Sequence, residues 1–232
     1  MKIYNASTFI KQATICLAAI IFTQAKANAQ VTSFIIDSSK FKMELFPMLD
    51  TIYKDDQSYR FELASLTRSN ASQSKLDSVR NIIKEKDEIN LKKINAILTK
   101  YGWLGPQEVG MNGSQSIFLV IQHADLDTQK KYLSLVQQAE KEGKTLSSNL
   151  AILEDRIAMR EGRKQYYGSQ GFKDKVTGIS YIYPIVDIDQ LDQRRKQMGM
   201  PPMATYVKNW NLEDYKKKLP EIEKIVKAQN IR

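Results

Sequence analysis

Cysteine occurs once in this 232-residue chain, at Cys16, and histidine once, at His123. A chain with one thiol near its start has no internal disulfide, and a single imidazole rules out paired histidines at metal-ligand spacing. The sequence also has no glycine-rich phosphate loop and no Gly-x-Ser-x-Gly elbow, so it carries neither a nucleotide fingerprint nor that nucleophile turn. Beyond the first thirty residues no apolar run approaches the roughly 20 residues a spanning helix takes, so no stable membrane insertion is expected.

The start of the chain reads as an export signal. Lys2 and Lys11 precede the apolar run from Ala13 to Phe22, and Ala27-Asn28-Ala29 supplies small residues at the two positions a signal peptidase reads. Residues 1–29 are therefore expected to be a cleaved signal peptide, leaving an exported, soluble protein of residues 30–232, periplasmic or extracellular. Cys16 lies in the middle of the apolar run rather than at its end, which argues against lipid anchoring. Cleavage would remove the only cysteine, and with it thiol nucleophiles and thiolate metal sites. It would also take three lysines and no acid, lowering the formal charge from +9 to +6. Because the charges alternate in sign along most helices, this excess does not form the block that nucleic acid needs, and no nucleic-acid partner is expected.

Periodicity predicts a mainly α protein: a single compact helical domain of about six helices with a small β-hairpin insertion. Phe41 to Leu66 carries apolar residues at helical spacing, mildly interrupted by Pro47 and by Asp55-Asp56-Gln57-Ser58. Thr67 to Ser74 reads as a loop. Leu76 to Tyr101 has the clearest stripe, ended by Gly102 at the C′ position. Gly102 to Gly113 reads as a turn, and Ile117 to Ile121 as a buried strand or a buried helix. Asp125 caps a helix from Thr128 to Glu142. Ser147 or Ser148 caps the next, to about Gly162. Between Arg163 and Ile185 aromatic and β-branched residues alternate, as in a hairpin. Asp187 or Asp189 then caps a short helix holding Arg194 and Arg195. The last helix, 212–228, begins at an Asn211 cap and meets a kink or break at Pro220.

Polar residues break these apolar patterns at particular places. Asp87 and Asn90 share the inward face of the 76–101 helix with Leu91 and Ile94; they mark either a packing gap or two groups delivered to a pocket between helices. Gln122 and then His123 follow the apolar run 117–121, the histidine as a core imidazole or as a catalyst. Asp155 and Arg156 lie on a helix apolar almost all round. Buried charges persist when paired, so each is expected to meet a partner elsewhere, in a structural ion pair or in a site. Gln165, Tyr167 and Gln170 would approach the same interior region from the hairpin.

Together the pattern of Trp103, Gln122-His123-Ala124, Leu153-Glu154-Asp155-Arg156-Ile157, Glu161-Gly162-Arg163, Gln165, Tyr167-Gly168-Ser169-Gln170, Asp192, Arg194-Arg195 and Gly199-Met200-Pro201-Pro202 resembles domain-of-unknown-function family 6624, an uncharacterised bacterial family. The resemblance spans about residues 45–206 and extends upstream to Asp56 and Arg60, four apart, and to Asp87 with Asn90. Relatives place a proline where this chain has Leu104 and a threonine where it has Ser169, and Asp125 stands outside the pattern. The resemblance implies that these residues act together and supplies no substrate.

Two functions fit these residues. In one, a pocket binds or hydrolyses a polar small molecule or an envelope component. His123 and Asp155 are then the catalytic candidates, and Asp87, Asn90, Arg156, Gln165, Tyr167, Gln170 and Arg194 bind the ligand, with Arg156 and Arg194 neutralising an anion. In the other, a non-catalytic envelope or interaction protein uses the same side chains as a structural network. Neither requires a cofactor, and no metal site is expected.

Overall fold

Apolar residues repeating at helical spacing fold into eight α-helices and one small hairpin among the described residues, 30–231, of this computed structural model. The expected signal peptide, 1–29, lies outside the described residues. Two 3₁₀ turns, Ser38–Lys40 and Met43–Leu45, lead into α1 (Phe46–Arg68), where Pro47 sits in the first turn, a position that needs no amide donor, and so causes no break. The helix also runs unbroken through Asp55–Ser58, because Asp56 takes a place on the buried stripe with Leu49 and Ile52. α2 (Gln73–Tyr101) follows a loop of four residues and stops at Gly102 in the left-handed region (φ 68°).

The expected turn 102–113 is mostly helix. α3 spans Pro106–His123, with Pro106 in its first turn and the Gly105 amide donating to Glu108 Oε2 at 2.8 Å. Gly110 (φ 70°, ψ 174°) breaks it locally, which is why glycines and a proline there suggested a turn. Beyond the break Ile117, Phe118, Val120, Ile121 and Gln122 are all buried, so the ambiguous apolar run is a core helix. Asp125 caps α4 (Leu126–Lys141) by accepting from the Thr128 amide at 2.7 Å. α5 (Ser147–Arg160) receives no side-chain cap; the Ser147 hydroxyl goes to Glu140 at 2.6 Å instead.

α1 packs against α2 and α3, and α4 against α5, around a core that includes Leu49, Ile52, Ile94, Phe118, Ile121, Val136, Leu153 and Ile157. A second apolar cluster joins Ile185, Leu191, Met203, Tyr215 and Ile222. It belongs to the hairpin β1 (Gly171–Lys173) with β2 (Ser180–Ile182), the helices α6 (Leu191–Gln197) and α7 (Met203–Tyr206), and α8 (Leu212–Gln229). The strands pair antiparallel, Phe172 opposite Tyr181. α8 starts at the expected Asn211 cap, whose side chain accepts from the Asp214 amide at 2.9 Å, and it continues through Pro220 to Gln229 without ending there. Asp187 precedes α6 but caps nothing with its side chain; it adopts a left-handed backbone at φ 41°. The two helices beyond the expected six are α3 and the one-turn α7. No helix among the described residues is long and apolar enough to cross a membrane.

The sequence between Gly162 and the hairpin does not form the expected alternating strand. Residues 165–170 are a loop, tied to Ile185 by one isolated parallel bridge from Gln165. A strand would aim successive amides in opposite directions. This loop aims three of its amides at one carboxylate.

Candidate functional site

Four helices bring charged groups to one region at the C-terminal end of α3. Asp56, projecting from the inward stripe of α1, is fully buried. Its Oδ1 lies 2.8 Å from His123 Nδ1, and Oδ2 accepts from Gln57 at 2.7 Å. Arg60, one turn further along α1, is 3.2 Å from the same Asp56 carboxylate and forks onto Asp87 of α2 with bonds of 2.9 and 2.8 Å. Burial pushes the Asp56 carboxyl upward, but the His123 hydrogen bond and the charges of His123 and Arg60 outweigh it and hold the group below the usual carboxylate range. For Asp87 burial wins over the Arg60 fork and shifts the carboxyl upward.

This geometry orients the imidazole. A carboxylate on Nδ1 fixes which ring nitrogen carries a proton and how the ring is turned. The His123 side chain keeps 16% exposure, and its Nε2 has no protein partner among the described residues. Asn90, one turn along α2 from Asp87, is fully buried and neither its amide nitrogen nor its oxygen has a protein partner.

α5 brings arginines to the same neighbourhood. Arg160 donates to the carbonyl of Ala124, next to His123, at 2.5 Å. Arg156, one turn earlier, has no carboxylate partner among the described residues, and its buried Nε donates to nothing. Burial, with the nearby positive charges of Arg160 and Arg60, pulls the Arg156 guanidinium down to about 10. The expectation that Arg156 is ion-paired is thereby overturned: cations flank it instead. An open cleft of about 320 Å³ lies against Arg156, Arg160, Ser169 and Gln170.

The remaining sequence candidates anchor the loop. Asp155 is fully buried and was expected to meet a cation, but its oxygens accept from the amides of Tyr166 (2.7 Å), Tyr167 (2.9 Å) and Ser169 (2.9 Å) and from the Ser169 hydroxyl (2.9 Å). Three amides and a hydroxyl satisfy a carboxylate as fully as a cation does. Gln165 donates to the carbonyls of Gln170 (2.9 Å) and Tyr183 (2.8 Å) and accepts from the Gln170 amide (2.8 Å). The Tyr167 hydroxyl reaches Glu154 at 3.4 Å, on another face of α5. Arg194 was expected to neutralise an anion, yet its guanidinium is occupied by the carbonyls of Tyr166, Val186 and Asp187. Fully buried Arg195 likewise bonds the carbonyls of Tyr167 and Pro201 and lies 4.5 Å from the Tyr206 ring centroid.

The structure thus separates the candidates into two groups. His123, Asp87 and Arg156 are linked through Asp56 and Arg60, which the family resemblance joins to Asp87 without giving them a role, and through Arg160, which the sequence does not single out. Asp155, Gln165 and Arg194 hold the 165–170 loop, and Gln170 reaches the arginine cleft from that loop. Asp56 was findable by the same sign as Asp87, a carboxylate on an apolar helical stripe. No three His, Cys, Asp or Glu side chains among the described residues gather as a metal site would require.

The architecture is that of a mainly helical domain in which a buried aspartate holds a partly exposed histidine near two arginines that have no carboxylate bonded to them. The chain belongs to a family of unknown function (DUF6624), whose model matches residues 41–219. No curated protein and no solved structure matches it.

Proposed function

We propose that this protein is exported and binds a polar small ligand beside His123, with the imidazole as general base or general acid. The observation that carries this reading is the His123–Asp56 pair. A fully buried carboxylate fixes Nδ1 at 2.8 Å while Nε2 stays free, which is the arrangement in which an imidazole takes a proton from a bound hydroxyl or water and returns it to a leaving group. Asp87 and Asn90 line up on the adjoining helix as polar contacts, and Arg156 supplies a positive charge. Asp155 acts at one remove, by holding the loop that carries Ser169 and Gln170.

The structural-network reading has its own support at one end of the region. Asp155, Gln165 and Arg194 each bond several backbone groups, so their first task is to fix the loop. The test is a melting series on His123→Ala and Gln165→Ala beside a screen of envelope-derived sugars, peptides and phosphorylated metabolites. Asp56 retains Gln57 and Arg60 when the imidazole is removed, so His123→Ala is expected to cost only about 1–2 kcal/mol while abolishing binding or turnover. Gln165→Ala is expected to lose more stability, about 2–3 kcal/mol, since it strips partners from buried backbone groups. A His123→Ala variant as unstable as Gln165→Ala, with no ligand found for the parent, defeats the site.

A further inference from the structure

We propose that the cleft between α5 and the 165–170 loop is a subsite for a tetrahedral dianion, the phosphoryl group of inorganic phosphate or a phosphomonoester. This rests on the acid–base reading of His123 and names the ligand class that reading leaves open. Arg156 and Arg160 stand four residues apart on α5, which places their Cβ atoms about 6 Å from each other on one helix face. Both line the cleft, and neither has a carboxylate bonded to it, although the Asp125 charge acts on Arg160 from outside the cleft lining. That is unusual in a protein with acids elsewhere on its surface, because two neighbouring guanidiniums repel and a carboxylate between them would relieve the repulsion. Arg60 adds a third positive charge near Arg156, but Asp56 and Asp87 already neutralise it.

The rest of the lining agrees. Ser169 gives its hydroxyl proton to Asp155 and accepts from Gln170 Nε2, so neither residue brings a negative charge to the cleft. Arg156 Nε is buried and donates to nothing, and a buried N–H without an acceptor is costly unless an acceptor arrives. Two guanidiniums lining one volume suit an anion with several oxygens, since each carries donors that no carboxylate takes. A phosphoryl dianion matches both the two charges and that set of donors. A lone carboxylate matches neither. Arg160, which lines the cleft, also donates to the Ala124 carbonyl, one residue from His123, and so connects the cleft to the imidazole's neighbourhood.

The test is calorimetric titration of the full chain with inorganic phosphate, sulfate, malonate and acetate at one pH and matched ionic strength, together with Arg156→Gln, Arg160→Gln and His123→Ala. Saturable phosphate binding with a Kd below about 10 mM is expected, with sulfate comparable and acetate at least about tenfold weaker. Each arginine variant should weaken phosphate binding by about tenfold or more. No saturable phosphate binding by the parent, or malonate tighter than phosphate, overturns the subsite even if the arginine variants fail to fold. Phosphate binding unchanged in folded Arg156→Gln and Arg160→Gln overturns it as well. If phosphate binds as expected but His123→Ala hydrolyses every tested phosphomonoester as the parent does, the acid–base reading falls and the subsite stands.

Discussion

Replacing Asp56 by asparagine removes one negative charge from the centre of the polar cluster and leaves its shape almost unchanged. Asp56 accepts from Gln57 at 2.7 Å and meets His123 Nδ1 at 2.8 Å and Arg60 at 3.2 Å. An asparagine keeps one acceptor oxygen but turns an NH₂ group towards either His123 or Gln57, so either the Gln57 contact becomes donor against donor or the imidazole must carry its proton on Nε2 and accept at Nδ1. Losing a buried charged hydrogen bond is worth about 1.5–3 kcal/mol. Arg60 keeps its fork on Asp87, which prevents the larger loss seen when a buried cation is left with no partner. The expected destabilisation at pH 7 is therefore about 2–3 kcal/mol.

The pH dependence gives a sharper check. The folded Asp56 carboxyl is depressed below its ordinary value of 3.8, so its contribution is complete above that pH and disappears as the pH falls through the folded value. The difference between parent and Asp56→Asn in urea midpoint should hold from pH 7 to about 5 and shrink below about pH 4. A difference under about 0.5 kcal/mol at pH 7 would refute the coupling of Asp56 to His123 and Arg60. So would a difference that grew as the pH fell below about 5, since that requires a raised folded Asp56 value. An Asp56→Asn, His123→Ala cycle should also give a coupling energy of about 1 kcal/mol or more.

Asn90→Leu should raise the melting stability by about 1–2 kcal/mol, because a fully buried amide with no protein partner is replaced by an apolar side chain; a loss would mean that the amide is satisfied in solution. Asp155→Asn should destabilise by about 2 kcal/mol and expose the 163–170 segment to limited proteolysis before global unfolding, and unchanged cleavage would refute its role as the loop's anchor. Tyr215→Phe should cost about 1–3 kcal/mol in thermal melts, since its hydroxyl accepts from the Ile185 amide and donates to the Tyr183 carbonyl, both at 3.1 Å. Export with cleavage after Ala29 predicts an intact mass beginning at Gln30, and secreted material retaining residues 1–29 would contradict it.

Helix positions were legible from the sequence because one periodic signal, the apolar stripe, both forms the helix and buries it. α2 and α4 fall where that stripe lies, and Asn211 and Asp125 cap where a short acceptor precedes it. α3 was missed because Gly110 and Gly113 carry the local marks of a turn, while burial of Val109 and the 117–121 run decides for helix. Partnership between polar groups is less legible, since it depends on distances across the fold. Asp87 was recognisable as out of place on its stripe, but nothing local says that Arg60 reaches it from α1, twenty-seven residues upstream. Asp155 misled for a related reason. A buried carboxylate suggests a cation, and only the folded loop reveals that Gly168, at φ 68°, lets the chain turn so that the Tyr166, Tyr167 and Ser169 amides converge on it.

That turn ties stability to the site. Gly168 packs closely enough that an added Cβ would stand 3.1 Å from Ile185 and 3.3 Å from the Met203 sulfur, so the loop is clamped on one side by the second apolar cluster and on the other by Asp155. Arg194 and Arg195 fasten the carbonyls of Tyr166 and Tyr167 between those clamps. Asp155, Arg194 and Arg195 each bond loop backbone, whereas Ser169 and Gln170 line the cleft at the loop's far end. Arg156 is the converse case: it sits one residue beyond Asp155, on a helix buried almost all round, with a charge that the loop does not satisfy. Adjacent residues on a helix diverge by about 100 degrees, so Asp155 and Arg156 face different surroundings, the first a set of donors and the second other cations. Arg195, in the loop-holding half, also leaves one buried guanidinium nitrogen unpaired, but its other donors reach the Tyr167 and Pro201 carbonyls, whereas Arg156 makes no hydrogen bond to a described residue. A guanidinium bonded to nothing, in the neighbourhood of an imidazole oriented by Asp56, is the physical ground for separating a loop-holding half from a ligand-facing half.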